Sequence, residues 1–403
     1  MSDRLRVYRN PRAAPTAEAY GSARAKILNE AGFVAAGREI RGWPGYVETR
    51  LSTLPGLAAR LGLAALAYKD ESGRFGLKSF KALGGAYAVF RLLAQTVSAR
   101  EGVKHVDSRR MIDGDYASVT RTVTVTCATD GNHGRSVAWG AQLFGCNCVI
   151  YVHEGVSEAR RTAIARYGAE VIRVPGNYDD SVRHAAVEAA RRGWTVVSDT
   201  TYEGYRDIPI DVMHGYGVMS REIVASMTGT PPTHVFVQAG VGGLAASVCA
   251  VFWIAWGERR PRLVIVEPTV ADCHFQSAKA GRPVTVTGSL DTVMAGLACG
   301  EVSPAAWEII DAGASAYLAI DDAFALDAMR VLANPTPPGE AIVAGETGAS
   351  GLAALLAVNE RDDVRHLLGL DASSRVLLIG SEGDTDPEIY RRIVGSAERE
   401  VAT

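Results

Sequence analysis

Lys81 stands in the run Ser79-Phe80-Lys81-Ala82-Leu83-Gly84-Gly85-Ala86-Tyr87. A strand is expected at residues 66–70 before it, and an alanine-rich helix with glycines in its first turns after it. A lysine heading a helix meets the positive end of the macrodipole, which disfavours its charged form. The neutral amine is the nucleophile in Schiff-base chemistry, so this placement suits a lysine that condenses with a carbonyl. A solvated lysine in a glycine-rich loop is the competing reading, and the run alone leaves it open.

Three further loops each follow an expected strand, where open α/β sheets bind ligands. Thr129-Asp130-Gly131-Asn132-His133-Gly134 opens a helix. Its backbone N–H groups can hold a carboxylate, and Asn132 offers a donor and an acceptor, unless it is an Asx-type cap. In Gly240-Val241-Gly242-Gly243-Leu244, glycines allow the backbone to approach a phosphate, and the helix that follows favours a dianion. A dinucleotide fold would place such a loop early, with an acid on the next strand. This loop comes late, but Glu267 does end the following strand, so the motif alone leaves a nucleotide site open. The last loop, Gly380-Ser381-Glu382-Gly383-Asp384-Thr385-Asp386, offers a hydroxyl that suits a ring nitrogen, or else is a polar turn.

The elements that must position these loops alternate. Strands are expected at 122–128, 147–152, 170–174 and 195–198, with helices at 132–144, 157–167 and 178–192. A second series has helices at 210–226 and 243–256 and strands at 234–238, 262–266 and 376–379. Alternation at this spacing indicates parallel sheets covered on both faces. The fold class is therefore α/β with two open parallel-sheet lobes. Residues 1–90 and 199–403 are expected to form the larger domain, and 91–198 the smaller one. The charged, aperiodic stretch 100–117 reads as an exposed loop, and Glu398-Arg399-Glu400 as a solvated helix end.

A chain of 403 residues can bury a large core. Net charge is -3, and no basic stripe points to nucleic acid or an anionic membrane. The longest apolar stretch, 244–256, is too short to span a bilayer, and no signal peptide is visible. Six cysteines without a matching pair of pairs fit neither a disulfide scaffold nor a zinc site. No HxxxH spacing supports a metal hydrolase, so no metal is expected. A reducing cytoplasm fits best.

The loops occur in the order lysine, Asn loop, glycine cup, Ser loop. Together they resemble the fold type II family of pyridoxal phosphate enzymes, which includes the tryptophan synthase β chain and the serine and threonine dehydratases. Within it, the chain is similar to the diaminopropionate ammonia-lyases. The resembling runs are Lys69-Asp70-Glu71-Ser72, residues 76–85, residues 128–135, Asp199-Thr200-Thr201-Tyr202-Glu203-Gly204-Tyr205, Val266-Glu267-Pro268 with Asp272-Cys273, residues 294–301, and Gly345-Glu346-Thr347-Gly348. With the Ser381 loop they span nearly the whole chain. Asp130 stands where dehydratases and synthases carry a small or neutral residue. Thr201-Tyr202 replaces the lyases' Ala-Trp, and Thr347 their Ser.

The resemblance implies pyridoxal 5'-phosphate on Lys81, with the ring acting as an electron sink. Asn132 would contact the ring oxygen, the backbone of Gly240, Val241, Gly242, Gly243 and Leu244 the phosphate, and Ser381 the ring nitrogen. The reaction would be α,β-elimination of D- or L-2,3-diaminopropionate to aminoacrylate, which hydrolyses to pyruvate and a second ammonia. Lys81, Asp130 and Asp199 would be catalytic. Lys81 would take the Cα proton on one face and Asp130 on the other, while the two acids manage the β-ammonium. Thr129, Asp130, Gly131, His133 and Asp199 would meet substrate. Read from the residues alone, His133 is a capping or packing side chain, and Glu203 orders its loop. Cys273 and Cys299 are expected close enough for a reversible disulfide, or else remain independent buried thiols. A homodimer is the family's implied assembly. The alternatives are a serine/threonine dehydratase or another β-elimination or β-replacement enzyme, and a non-catalytic binder of pyridoxal phosphate or an amino acid.

Overall fold

The computed structural model describes residues 4–129, 131–335 and 339–395. Asp130 and the expected helix end at 398–400 lie outside them. The chain divides into two units, one of Met1–Asn29, Glu48–Gly73 and Met219–Thr403, the other of Glu30–Val47 and Arg74–Val218.

The first unit holds a seven-stranded sheet in the order Leu5–Arg9, Ala314–Ile320, Arg262–Pro268, His234–Gln238, Arg375–Gly380, Ala65–Asp70, Leu51–Thr53. The five central strands are parallel, and His234–Gln238, Arg262–Pro268 and Arg375–Gly380 are the almost continuously buried runs expected of a sheet covered on both faces. Both edge strands run antiparallel, a departure from the all-parallel expectation. Short antiparallel strands at the margins leave little open edge for another chain to pair with.

This unit also buries an ion pair. Lys69 Nζ lies 2.6 Å from Glu222 Oε2 and 2.7 Å from the Thr49 carbonyl, with both charged side chains almost fully enclosed. Lys69→Met should destabilise the protein by about 3–5 kcal/mol in urea unfolding, because it removes the cation from a carboxylate that stays buried. Replacing both residues with apolar ones should restore much of that loss.

The second unit has a four-stranded parallel sheet, Glu170–Val174, Asn147–His153, Thr124–Ala128 and Thr195–Val196. It reaches beyond the expected 91–198 on both sides, and on the N-terminal side small residues let two helices meet closely. A Cβ on Gly140, in helix Asn132–Phe144, would lie 2.7 Å from the Cα of Ala86, in helix Lys81–Glu101. Residues 30–47 join through Trp43, whose ring centre is 5.4 Å from that of Phe144 and 5.9 Å from that of Trp139.

The stretch 100–117 is not an exposed loop. Asp107 Oδ1 accepts from the N–H groups of Arg109 and Arg110 at 2.8 and 3.2 Å, starting the helix Ser108–Ile112, and Val106, Met111 and Tyr116 are buried. Helix Asp207–Ser226 starts three residues before the expected 210, since Pro209 is tolerated in a first turn. Helix Glu158–Ala165 starts one residue later than expected because Ser157 is its cap, with Oγ accepting from Arg160 N at 3.3 Å, and it ends two residues earlier.

Candidate active site

In the second unit, the strand-to-helix passage before Lys81 contains Phe75 and Lys78 at φ 50° and 56°, the two non-glycine residues with positive φ among those described. Such conformations cost free energy and persist only where surrounding contacts enforce them. Arg135 supplies one such contact, its guanidinium donating to the Leu77 carbonyl at 3.0 Å, and Ser136 Oγ donates to the Lys81 carbonyl at 2.6 Å. Lys81 is thereby held as the first residue of its helix.

Its ammonium donates to Asp199 Oδ2. Burial pushes the Asp199 carboxyl up, but the charge and hydrogen bond of Lys81 outweigh it and hold the group well below the ordinary carboxylate range. At Lys81 the direct contact with Asp199 opposes the helix dipole, since an ion pair at contact distance favours the charged amine. His133 Nε2 lies 2.7 Å from the Val197 carbonyl and must carry the proton there, and Nδ1 lies 4.0 Å from Asp199 Oδ2. Burial lowers its pKa, so the ring is neutral. The Tyr216 hydroxyl is enclosed beside this pair, its pKa raised by burial.

Thr129, not Asn132, caps the helix: its Oγ1 accepts from the N–H groups of Gly131 and Gly134, both at 3.1 Å. Asn132 Oδ1 accepts from Arg135 at 3.2 Å.

Because the folded pKa of Asp199 is depressed, its pair with Lys81 adds stability that is complete above the unfolded value of ~3.9 and is lost as pH falls below it toward the folded pKa. The melting temperature of cofactor-free protein should therefore drop more steeply between about pH 4 and pH 2 than that of Asp199→Asn.

In the first unit, strand His234–Gln238 leads into the glycine loop and helix Gly243–Trp256. Gly242 takes φ 102°, and no side chain caps the helix N-terminus. Ser381 is buried, and its Oγ accepts from Gln238 Nε2 at 2.6 Å. The same amide also donates to the carbonyls of Ile379 and Thr347, at 2.9 and 3.1 Å. The serine keeps its own proton to donate. Glu267 accepts from the N–H groups of His274 and Phe275, both at 2.8 Å, and so caps helix Cys273–Ala280. A carboxylate so engaged does not bind a ribose, which removes the nucleotide reading.

Residues 43–381 match the pyridoxal-phosphate-dependent enzyme family. The diaminopropionate ammonia-lyase of Escherichia coli (strain K12) is 41% identical over 364 residues, 89% of this chain and 90% of that protein. The chain belongs to the fold type II pyridoxal phosphate enzymes, in the diaminopropionate ammonia-lyase family. A crystal structure of the E. coli lyase with D-serine superposes with a TM-score of 0.86 at 37% identity, covering 98% of this chain and 97% of that one. Another, with an aminoacrylate-PLP azomethine reaction intermediate, gives 0.83.

The residues fit the family's cofactor, pyridoxal 5'-phosphate. The uncapped helix N-terminus behind a glycine turn suits a phosphate, and a buried hydroxyl with a proton to donate suits a pyridine nitrogen. Of the residues singled out in the sequence, the second unit brings Lys81, Asp199 and His133 together and places Thr129, Gly131 and Asn132 at one helix start. The first unit joins Ser381 to the strand that feeds the glycine loop. Glu203 is exposed. No disulfide joins cysteines among the described residues; Cys273 Sγ lies 3.8 Å from the Gly240 carbonyl, and Cys299 Sγ would lie 3.0 Å from a Cβ on Gly240.

Sequence reasoning missed Tyr216, Ser136, Arg135 and Gln238. Gln238 alone left a signal, as an amide closing the apolar strand HVFVQ at its ligand-facing end. No metal-holding cluster of three or more His, Cys, Asp or Glu occurs among the described residues, and no helix there is long and apolar enough to cross a membrane.

Proposed function

We propose that this chain eliminates ammonia from 2,3-diaminopropionate, giving pyruvate and two ammonia. The 41% identity to a diaminopropionate ammonia-lyase, sustained over 89% of the chain, carries this reading. Bound pyridoxal phosphate supplies the electron sink that makes the Cα proton acidic. Lys81 holds the cofactor's carbonyl carbon, Asn132 its ring oxygen, the backbone of Gly240–Leu244 its phosphate and Ser381 its ring nitrogen.

Asp199 already holds one ammonium, that of Lys81. When the lysine amine is engaged elsewhere, the same carboxylate is preformed for the substrate's β-ammonium. Keeping that nitrogen protonated matters, because ammonia leaves readily only from the ammonium form. The neutral His133 and the hydroxyl of Tyr216 flank this pair without adding a competing charge. Thr129 and Gly131 present the helix start to the substrate carboxylate, and Asp130 takes the Cα proton on the face opposite Lys81. The enzyme acts as a cytoplasmic homodimer, which sedimentation and cell fractionation would check.

The decisive assay incubates purified holoenzyme with each diaminopropionate antipode, serine and threonine, and measures pyruvate (2-oxobutyrate from threonine) and ammonia. Two ammonia per pyruvate from diaminopropionate is the expected result. Turnover confined to serine and threonine would replace this reading with a dehydratase.

A further inference from the structure

The glycine loop is backed by a histidine whose ring has no well-formed partner. His274 is completely buried, and its backbone N–H is spent on Glu267, but neither ring nitrogen makes a well-formed hydrogen bond, the Gly240 and Val241 backbone lying only within weak reach of the ring. A Cβ on Gly242 would lie 2.6 Å from its Cε1, 2.7 Å from its Nε2 and 3.0 Å from Ile310 Cδ1. The imidazole edge therefore presses against the loop. The ring of Trp307 packs alongside, with centres 6.3 Å apart.

A buried polar ring left unpaired costs roughly 1–3 kcal/mol, so an apolar ring would serve better if packing were the whole task. Burial lowers its pKa to about 4, while the Gly240 and Val241 backbone pulls the other way. At neutral pH the ring thus keeps one N–H, and those peptides lie on the side it faces.

We propose that His274 is a positioning residue for the cofactor phosphate, its ring N–H finding a carbonyl of the Gly240–Val241 peptides when the loop grips the anion. A donor on a peptide carbonyl polarises that peptide and strengthens the N–H at its other end. The loop's grip on phosphate then depends on a side chain that touches neither substrate nor cofactor. This rests on the reading of Gly240–Leu244 as the phosphate cradle, and the test separates the two.

The measurement compares affinities of cofactor-free protein for pyridoxal phosphate and for pyridoxal, which lacks the phosphate. Wild type should prefer the phosphorylated form by about 100-fold or more, an energy that several charge-assisted hydrogen bonds readily supply. His274→Phe should cut that preference at least ~10-fold, leave pyridoxal binding unchanged and raise the melting temperature of the cofactor-free protein. His274→Gln, which keeps a donor, should retain most of the preference. An undiminished preference in His274→Phe overturns the proposal. A wild type with no preference, or Gly242→Val with an intact one, overturns the phosphate cradle instead. If the Phe variant does not fold, ¹⁵N-histidine spectra decide. The His274 ring nitrogens, assigned through the Gln variant, should shift when inorganic phosphate is added to cofactor-free wild type, and an unmoved signal overturns the proposal.

Discussion

Lys81→Ala should abolish turnover of both diaminopropionate antipodes, a loss on the order of 10⁴ or more, because one side chain is asked to hold the cofactor and to move the Cα proton. The visible absorbance of lysine-bound cofactor should vanish with it. Lys78 is the rival, three residues earlier at φ 56°, so the two lysines must be separated by experiment. Borohydride reduction of wild-type holoenzyme followed by peptide mapping should find the label on Lys81. A label on Lys78, or absorbance that survives in Lys81→Ala, would sink the assignment. The ion pair favours Lys81, since Asp199 fixes where its amine sits before any ligand arrives.

Asp130→Asn should lose activity toward one antipode by about 10² to 10⁴ and keep part of the other, with D-diaminopropionate the one lost. The substitution is nearly isosteric, and the adjoining helix start is capped by Thr129, so folding and cofactor binding should survive. Measuring kcat/KM for each antipode separates three roles. Loss confined to one antipode identifies a base on one face. Equal loss for both assigns Asp130 to the β-ammonium, beside Asp199. No loss leaves it without a chemical task and strengthens the dehydratase alternative.

Much of the scaffold was legible before the structure, because local rules decide it. Helix Asn132–Phe144, helix Tyr178–Arg192, strand His234–Gln238 and helix Gly243–Trp256 match their expected bounds. Each is marked by glycine or a capping residue at its ends and by a continuous apolar or amphipathic run between. Where tertiary contacts compete with local signals, the reading fell short. Val106, Met111 and Tyr116 lie among so many charges that the burial of 100–117 was hidden.

The sequence by itself marked the candidates for chemistry: a lysine heading a helix, a glycine turn before a helix, an acid within the Asn loop. Those are properties of residue type and of neighbours a few positions away. Only the tertiary structure decided their state. Lys81 and Asp199 are 118 positions apart, and the contact between them holds the Asp199 carboxyl well below the ordinary range. Glu267 turned from a candidate ribose ligand into a helix cap, and His274 from one more buried side chain into the backing of the glycine loop. Charge and hydrogen bonding act over a few ångströms of space, a distance that sequence separation does not measure.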